Sequence, residues 1–257
     1  MAAAPVLPAS SPTPEPAPLS EGGRIINTFI APSKTFTDLG RYGKWWSWLV
    51  PFVLISVAAI AFFVVVGQKI TFRKVAENQI QASPKAAGRM DKLPADQRDR
   101  AMERQAKVTE YITYGYPVVI LIFDLIIAAL LFATFVFGAG VDVEFKTAFS
   151  IVVYAGLPGV LKLLLAIASI LGGASPDSFS LQNPVATNPG YFMNPVDSPF
   201  LFKIASALDI FLIWTLVLTA IGFTCVSKVK KGTSYAIVFG WWIAATLAGA
   251  GIAAMFS

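Results

Sequence analysis

The chain has 257 residues, of which 56% are hydrophobic and only 14% carry a formal charge. Because a soluble domain has about 25% charged residues, these values and a mean hydropathy of +0.66 exclude a water-soluble globule. The net charge of +5 lies mostly in segments that flank apolar stretches, so anionic lipid headgroups are a better partner than nucleic acid. The chain has no histidine and a single cysteine, Cys225, so we expect no metal site, no cofactor and no intrachain disulfide.

The N-terminal segment divides into a tail and an amphipathic stretch. Residues 1–23 are rich in Ala, Pro and Ser, which predicts a disordered tail that precedes a membrane domain over residues 24–257. Residues 24–44 mix apolar and aromatic side chains with four basic ones. This pattern predicts interfacial helices at 25–31 and 36–42.

The remaining chain predicts an all-α integral membrane bundle of five transmembrane helices, with an extramembrane helical insertion between spans one and two. Each span is long enough for the hydrocarbon core, which takes about 20 residues to cross. The spans are predicted at residues 45–67, 113–139, 147–172, 201–226 and 234–256. Tryptophans favour the membrane–water boundary, and the expected interface anchors are Trp45, Trp46, Trp48, Trp241 and Trp242.

The loops between the spans indicate an orientation. The segment before span one has four basic residues, the 227–232 turn has three, and the 173–200 loop has none. Positive charges favour the cytoplasmic side, so an inside N-terminus is predicted. The polar helical connection 68–112 carries ten Lys and Arg against six Asp and Glu. These basic residues would then face outside, which favours the reverse orientation.

Three ionisable residues fall within the apolar spans: Asp124, Lys162 and Asp209. A charge at the bilayer centre costs at least roughly 2.5–3.5 kcal/mol, so each one requires a reason. At 1.5 Å per residue, all three lie within roughly one helical turn of a common depth. The sequence therefore predicts a buried Asp–Lys–Asp cluster.

Two interpretations of this cluster remain open. It is either an internal ion pair that fixes helix register, or a pathway for protons or ions in a small transporter or channel. If the cluster is structural, Asp209→Asn should destabilise the protein, and combining Lys162→Met with Asp209→Leu should partly restore it. If the cluster is a relay, the double variant folds and loses transport.

Enzymatic activity is not predicted. The sequence contains no GxGxxG, phosphate-loop, HExxH or GxSxG pattern, and a serine triad is impossible without histidine. Lys162 would keep both aspartates ionised, which argues against an intramembrane aspartyl protease. The GAGIAA segment at 249–254 lets helices approach closely, within one chain or between copies, so a homo-oligomer stays open.

Residues 206–242, SALDIFLIWTLVLTAIGFTCVSKVKKGTSYAIVFGWW, resemble the fourth and fifth spans of bacterial members of the Yip (Ypt-interacting protein) domain family. In that pattern an aspartate is followed by an aromatic residue and Trp. An LxxIG segment, a basic turn and a Gly-Trp-Trp end come next. KTAFSIVVYAGLP at 146–158 is similar to the family's third span, and PSKTF at 32–36 to its first segment.

The resemblance covers about residues 24–256 and implies a five-span protein with a cytoplasmic N-terminus. Eukaryotic relatives act in vesicle traffic and bind Rab-type GTPases through their N-terminal region. In this chain the N-terminal tail is short, and its composition suggests a bacterial inner-membrane protein, so no Rab partner is expected. The family offers no catalytic residues, and the resemblance implies a non-enzymatic protein that organises membrane or binds partners.

Overall fold

The computed structural model describes residues 17–256, and every regular element among them is helical. Residues 1–16, most of the predicted tail, lie outside this range, while residues 21–23 form the first turn of a helix instead of ending the tail. The α-helices are α1 Glu21–Ile30, α2 Pro32–Tyr42, α3 Leu49–Lys69, α4 Phe72–Gln81, α5 Pro84–Asp91, α6 Ala95–Tyr114, α7 Tyr116–Ala133, α8 Phe145–Ala155, α9 Pro158–Leu171, α10 Pro199–Ala207, α11 Ile210–Ser227 and α12 Lys231–Phe256.

Five segments of the described chain are long and apolar enough to cross a membrane, which confirms the predicted multi-pass, all-α architecture. The second segment consists of α7 and a π-helical turn at Thr134–Gly138, and the third consists of α8 and α9. The five segments are Leu49–Lys69, Tyr116–Gly138, Phe145–Leu171, Ile210–Ser227 and Lys231–Met255.

The fourth span differs most from its prediction. Residues 201–226 were expected to form one helix, but α10 ends at Ala207 and α11 begins at Ile210. Asp209 lies between them in an extended conformation, and its side chain accepts hydrogen bonds from the first backbone N–H groups of α11. An aspartate at this position favours a helix start, and this local preference interrupts an otherwise apolar run.

The N-terminal amphipathic stretch folds as a helical hairpin of α1 and α2. Ser20 caps α1, and Pro32 occupies the first turn of α2, where its missing N–H costs no hydrogen bond. The hairpin packs against α11 and α8, with Phe36 and Leu39 of α2 fully buried. It is therefore part of the bundle.

The bundle has two ends that carry different loops. At the hairpin end, α2 finishes beside α11, since a Cβ on Gly40 would lie 3.0 Å from a methyl of Val226. At the loop end, Asn78 of α4 donates to the carbonyls of Pro176 and Phe179 at 2.8 and 2.9 Å. The connection between spans one and two (α4, α5 and α6) and the loop before α10 therefore meet at the same end.

Gly222 of α11 is where three elements approach most closely. A Cβ at this position would lie 2.5 Å from Cγ2 of Ile151 in α8 and 3.2 Å from Cδ1 of Phe36 in α2. A small residue here lets two helices contact α11 on the same side.

Gly222→Ala should lower the midpoint of thermal unfolding in detergent, because the added methyl forces three helices apart at a cost of about 1–3 kcal/mol. Gly240→Ala in α12 is the matched control, since no atom lies within 4 Å of its Cβ position. Equal midpoints for the two variants would contradict this packing.

Candidate functional site

The structure brings together two of the three ionisable residues that the sequence places inside the membrane. Lys162 lies in α9, and its Nζ is 2.8 Å from Oδ2 of Asp209, which immediately precedes α11. Asp124 lies in the middle of α7 and forms no hydrogen bond or ion pair with any residue of 17–256. The predicted Asp–Lys–Asp cluster is therefore a Lys–Asp pair.

The Asp209 carboxylate receives five donors. Its Oδ1 accepts hydrogen bonds from the backbone N–H groups of Phe211 and Leu212 at 3.0 and 3.2 Å. Its Oδ2 accepts from Lys162 at 2.8 Å, from the Thr187 hydroxyl at 2.5 Å and from the Asn188 amide at 3.3 Å. Two carboxylate oxygens have about four lone-pair sites, so no acceptor capacity is left over.

The same contacts fasten the loop before α10 to the bundle. Asn183 donates to the Ser206 hydroxyl at 2.8 Å and accepts from Asn188 at 3.1 Å. The backbone N–H of Ile210 donates to the carbonyl of Thr187 at 3.1 Å. We call Lys162, Thr187, Asn183, Asn188, Ser206 and Asp209 the Asp209 cluster. It joins α9, α10, α11 and the loop, and its aspartate side chain is only 3% exposed.

A second polar cluster, which sequence reasoning missed, lies inside the N-terminal hairpin. Arg24 of α1 contacts Asp38 of α2 through Nε and Oδ2 at 2.6 Å and Glu21 through Nη1 and Oε1 at 2.7 Å. Its Nη1 also lies 3.5 Å from the hydroxyl of Ser47. The side chains of Arg24 and Asp38 are only 5% and 7% exposed, so water reaches neither charge freely.

This second cluster ties the hairpin to the membrane bundle. The Tyr154 hydroxyl of α8 donates to Oε2 of Glu21 at 2.7 Å, across 133 positions of sequence. The backbone N–H of Leu19 donates to the second oxygen of Asp38 at 2.8 Å. We call Glu21, Arg24, Asp38, Ser47 and Tyr154 the Arg24 cluster. It holds three separate parts of the chain, namely α1, the segment from α2 to α3, and α8.

The electrostatics of the Arg24 cluster favour its charged form. Burial acts to lower the pKa of Arg24, but the hydrogen bond to Asp38 and the charges of Glu21 and Asp38 outweigh burial and raise it. One sequence signal could have found the pair: Asp38 is the single acidic residue among four basic ones in residues 24–44.

The tryptophans proposed as interface anchors fall into two groups. Trp45 and Trp46 lie between α2 and α3 at the hairpin end and are 67% and 47% exposed, while Trp48 packs against Phe52 and Phe149. Trp241 and Trp242 lie near the middle of α12, away from both of its ends. Trp241 donates to the Thr134 hydroxyl at 3.0 Å, a contact between helices.

Neither cluster has the composition of a metal site. Within residues 17–256, no group of three His, Cys, Asp or Glu side chains could hold a metal ion. Each buried carboxylate is occupied by cationic, hydroxyl or amide donors of the same chain. The ion pairs and hydrogen bonds of the two clusters join helices and loops of the chain to one another.

A family model described as the Yip1 domain matches residues 26–253. The matched range contains Asp38, Ser47 and Tyr154 of the Arg24 cluster and all of the Asp209 cluster. No curated protein and no solved structure matches the chain.

Proposed function

Because this chain belongs to the Yip1 domain family, we propose that it is a non-enzymatic membrane protein that organises membrane or binds protein partners. The observation that carries this proposal is the saturation of the Asp209 carboxylate by five donors of its own chain. A carboxylate held on all sides fixes the positions of the elements that hold it. Lys162 and Asp209 are in this view a structural ion pair.

A transport role for the same pair would require different surroundings. A proton relay needs a group that exchanges partners, and such groups commonly face a water-filled cavity. Here Oδ1 of Asp209 caps α11 and Oδ2 anchors the loop before α10. Releasing a proton through this carboxylate would therefore uncap a helix and detach a loop, which favours the structural role.

The serine hydroxyl groups of the two clusters support a non-enzymatic role. A nucleophilic serine needs a neighbouring base that removes its proton. The Ser47 hydroxyl contacts the Arg24 guanidinium and accepts from the backbone N–H of Lys44 at 2.9 Å. The Ser206 hydroxyl accepts from the Asn183 amide. Arginine and amide N–H groups are donors, so neither serine is activated.

The location that we propose is the inner membrane of a bacterium, with the hairpin end in the cytoplasm. This end combines the four basic residues of 24–44 with the three lysines of the α11–α12 turn. Positive charge close to span ends favours the cytoplasmic side, whereas long connections such as 68–112 affect orientation less.

The alternative is a small transporter or channel, and the position of Asp124 favours it. This carboxyl group lies in the middle of α7, between Phe123 and Leu125, whose side chains are exposed. It has no ionic partner within the described chain. An intramembrane carboxyl group without a structural partner is the kind that pumps and transporters use.

A flux assay separates the two proposals. We expect purified protein in liposomes to pass protons, Na⁺ and K⁺ no faster than protein-free liposomes, and Lys162→Met and Asp124→Asn to leave this result unchanged. The measurement is the decay of an imposed pH or cation gradient, followed with an enclosed dye. Flux in the wild type that a folded Lys162→Met or Asp124→Asn variant loses, and that the exposed control Lys92→Met keeps, would establish the transporter instead.

A further inference from the structure

Among the basic side chains at the hairpin end of the bundle, five come from two segments that are far apart in sequence and lie side by side. Arg41 is in the last turn of α2, and Lys44 lies two residues after that helix ends. Lys228 and Lys230 are in the turn between α11 and α12, and Lys231 is the first residue of α12. All five are exposed, and none forms an ion pair within residues 17–256. We call this group the basic rim: Arg41, Lys44, Lys228, Lys230 and Lys231.

The packing of α2 against α11 assembles the rim. The close approach of Gly40 to Val226 places the two segments side by side, because a bulkier residue at position 40 would push α2 away. Lys228 has a left-handed backbone conformation, with φ of 56°, which ends α11 abruptly and starts the turn. A left-handed conformation is uncommon outside glycine, and Lys228 is one of two non-glycine residues with positive φ among residues 17–256.

The acidic residues at the same end leave most of the rim's charge uncompensated. Asp38 is held by Arg24 and the Leu19 N–H, and Glu21 by Arg24 and Tyr154. Glu144 pairs with Lys146 at 2.6 Å. Among residues 17–256, the acid that remains near the five cations of the rim is Asp142, which is exposed in the loop between α7 and α8.

Two exposed tryptophans lie beside the rim. Trp45 and Trp46 follow Lys44 directly, and the Lys44 ammonium lies 5.4 Å from the ring centroid of Trp46. Tryptophan rings favour the headgroup layer of a bilayer, where they meet both apolar chains and water. An exposed pair of tryptophans at the end of transmembrane helices therefore marks the depth at which the basic rim lies.

We propose that the basic rim is a binding site for an anionic phospholipid, whose headgroup phosphate contacts the rim's cations while Trp45 and Trp46 pack against its glycerol and upper acyl chains. Lysine and arginine near a membrane surface attract anionic lipids, and the two tryptophans add apolar surface that a soluble phosphate would not use. This inference goes beyond the proposed function, since it specifies a lipid partner whether or not a protein partner binds as well.

The experiment measures lipid selectivity of the full chain in nanodiscs. Spin-labelled phosphatidylglycerol and phosphatidylcholine report the fraction of each lipid immobilised by the protein. We expect the wild type to favour phosphatidylglycerol severalfold. Because the rim's cations supply the attraction for anionic lipid, the variant Arg41→Gln, Lys228→Gln, Lys230→Gln, Lys231→Gln should lower the selectivity ratio to about one.

The matched control removes the same charge at the loop end. Arg89→Gln, Lys92→Gln, Arg100→Gln, Arg104→Gln changes four exposed residues of α5, α6 and their connection, none of which forms an ion pair within the described chain. This control should keep the selectivity of the wild type. Equal loss in both variants, or no loss in either, would overturn the proposal. Displacement of the immobilised phosphatidylglycerol by millimolar inorganic phosphate would also overturn the proposal, because the ligand of the rim would then be a soluble anion.

A second measurement tests the site without any variant of the rim. Photoactivatable phosphatidylglycerol, crosslinked to the wild-type chain in nanodiscs, should label peptides that contain residues 41–48 or 226–231. Labelling confined to peptides of the loop end would contradict the proposal even if the glutamine variant fails to fold.

Discussion

Arg24→Met should destabilise the protein by about 3–5 kcal/mol, the largest effect that we expect from one side chain outside the spans. Asp38 is only 7% exposed, and its Oδ2 has the Arg24 guanidinium as its partner at 2.6 Å. Removing one partner of a buried ion pair leaves an uncompensated charge, which costs far more than the pair itself contributes. The measurement is the free energy of unfolding in mixed detergent and denaturant.

A second variant separates the lost charge from lost packing. Combining Arg24→Met with Asp38→Asn should recover much of the stability, because the unpaired carboxylate is then gone while an oxygen remains for the Leu19 N–H. Arg73→Met serves as the control, since that arginine is 55% exposed and pairs with Asp99 and Glu77 at the surface. Its change should be too small to detect. Wild-type stability in Arg24→Met would contradict the role of the pair.

Lys162→Met should have an effect of similar size, about 3–5 kcal/mol, and it should also loosen the loop before α10. Without the Lys162 ammonium, the buried Asp209 carboxylate lacks its cation and keeps only the Thr187 hydroxyl and Asn188 amide on Oδ2. Thermal unfolding reports the stability. Proteolysis within residues 173–198 reports the loop, and its rate should rise in the variant.

The best compensating change at Asp209 is asparagine. Asp209→Leu would also remove the acceptor that caps α11, at a further cost of about 0.5–2 kcal/mol. Asp209→Asn keeps that acceptor and removes the charge, so Lys162→Met with Asp209→Asn should be more stable than Lys162→Met alone. Lys203→Met in α10 is the control, because Lys203 is exposed and has no ion pair within the described residues. A double variant no more stable than Lys162→Met would exclude a structural ion pair.

The sequence predicts the five spans well because twenty consecutive apolar residues have few alternatives in a bilayer. It does not predict the break before α11, since hydropathy averages over Asp209 and the apolar residues on both sides of it. The helix-capping preference of aspartate was the missing consideration. Hydropathy places Asp209 as a charge inside a helix, whereas its carboxylate caps the first turn of α11.

The pairing of Lys162 with Asp209 follows from their common depth, and the same argument fails for Asp124. Depth along a helix gives no information on which helices are neighbours or which way a side chain faces. In the bundle, α9 packs against α3 and α11, whereas α7 packs chiefly against α3 and α8. Asp124 is therefore on a helix that does not pack chiefly against the helices of the Lys162–Asp209 pair. Only the tertiary structure shows which helices are neighbours.

The Arg24 cluster was not predicted from the sequence, for a related reason. Arg24 and Asp38 are in two short helices that were predicted to lie along the membrane surface. Their contact depends on the hairpin turn at Ala31 and Pro32, and the Glu21 contact depends on Tyr154 in α8. Basic residues near a span are usually interpreted as lipid contacts, so the single acidic residue among them, Asp38, did not by itself indicate a buried guanidinium.

The hydrogen bond between Tyr154 and Glu21 constrains the order in which the chain folds during its synthesis. Synthesis proceeds from the N-terminus, and 133 positions separate the two residues. At about 5–20 residues per second, roughly 7–27 seconds pass between the appearance of Glu21 and that of its partner. During that interval the first span can already be inserted while the hairpin has no α8 to dock on. Docking of the hairpin through Tyr154 therefore waits for the third span, and its packing against α11 waits for the fourth. A ribosome that stalls before Tyr154 leaves the amphipathic N-terminus free on the membrane surface.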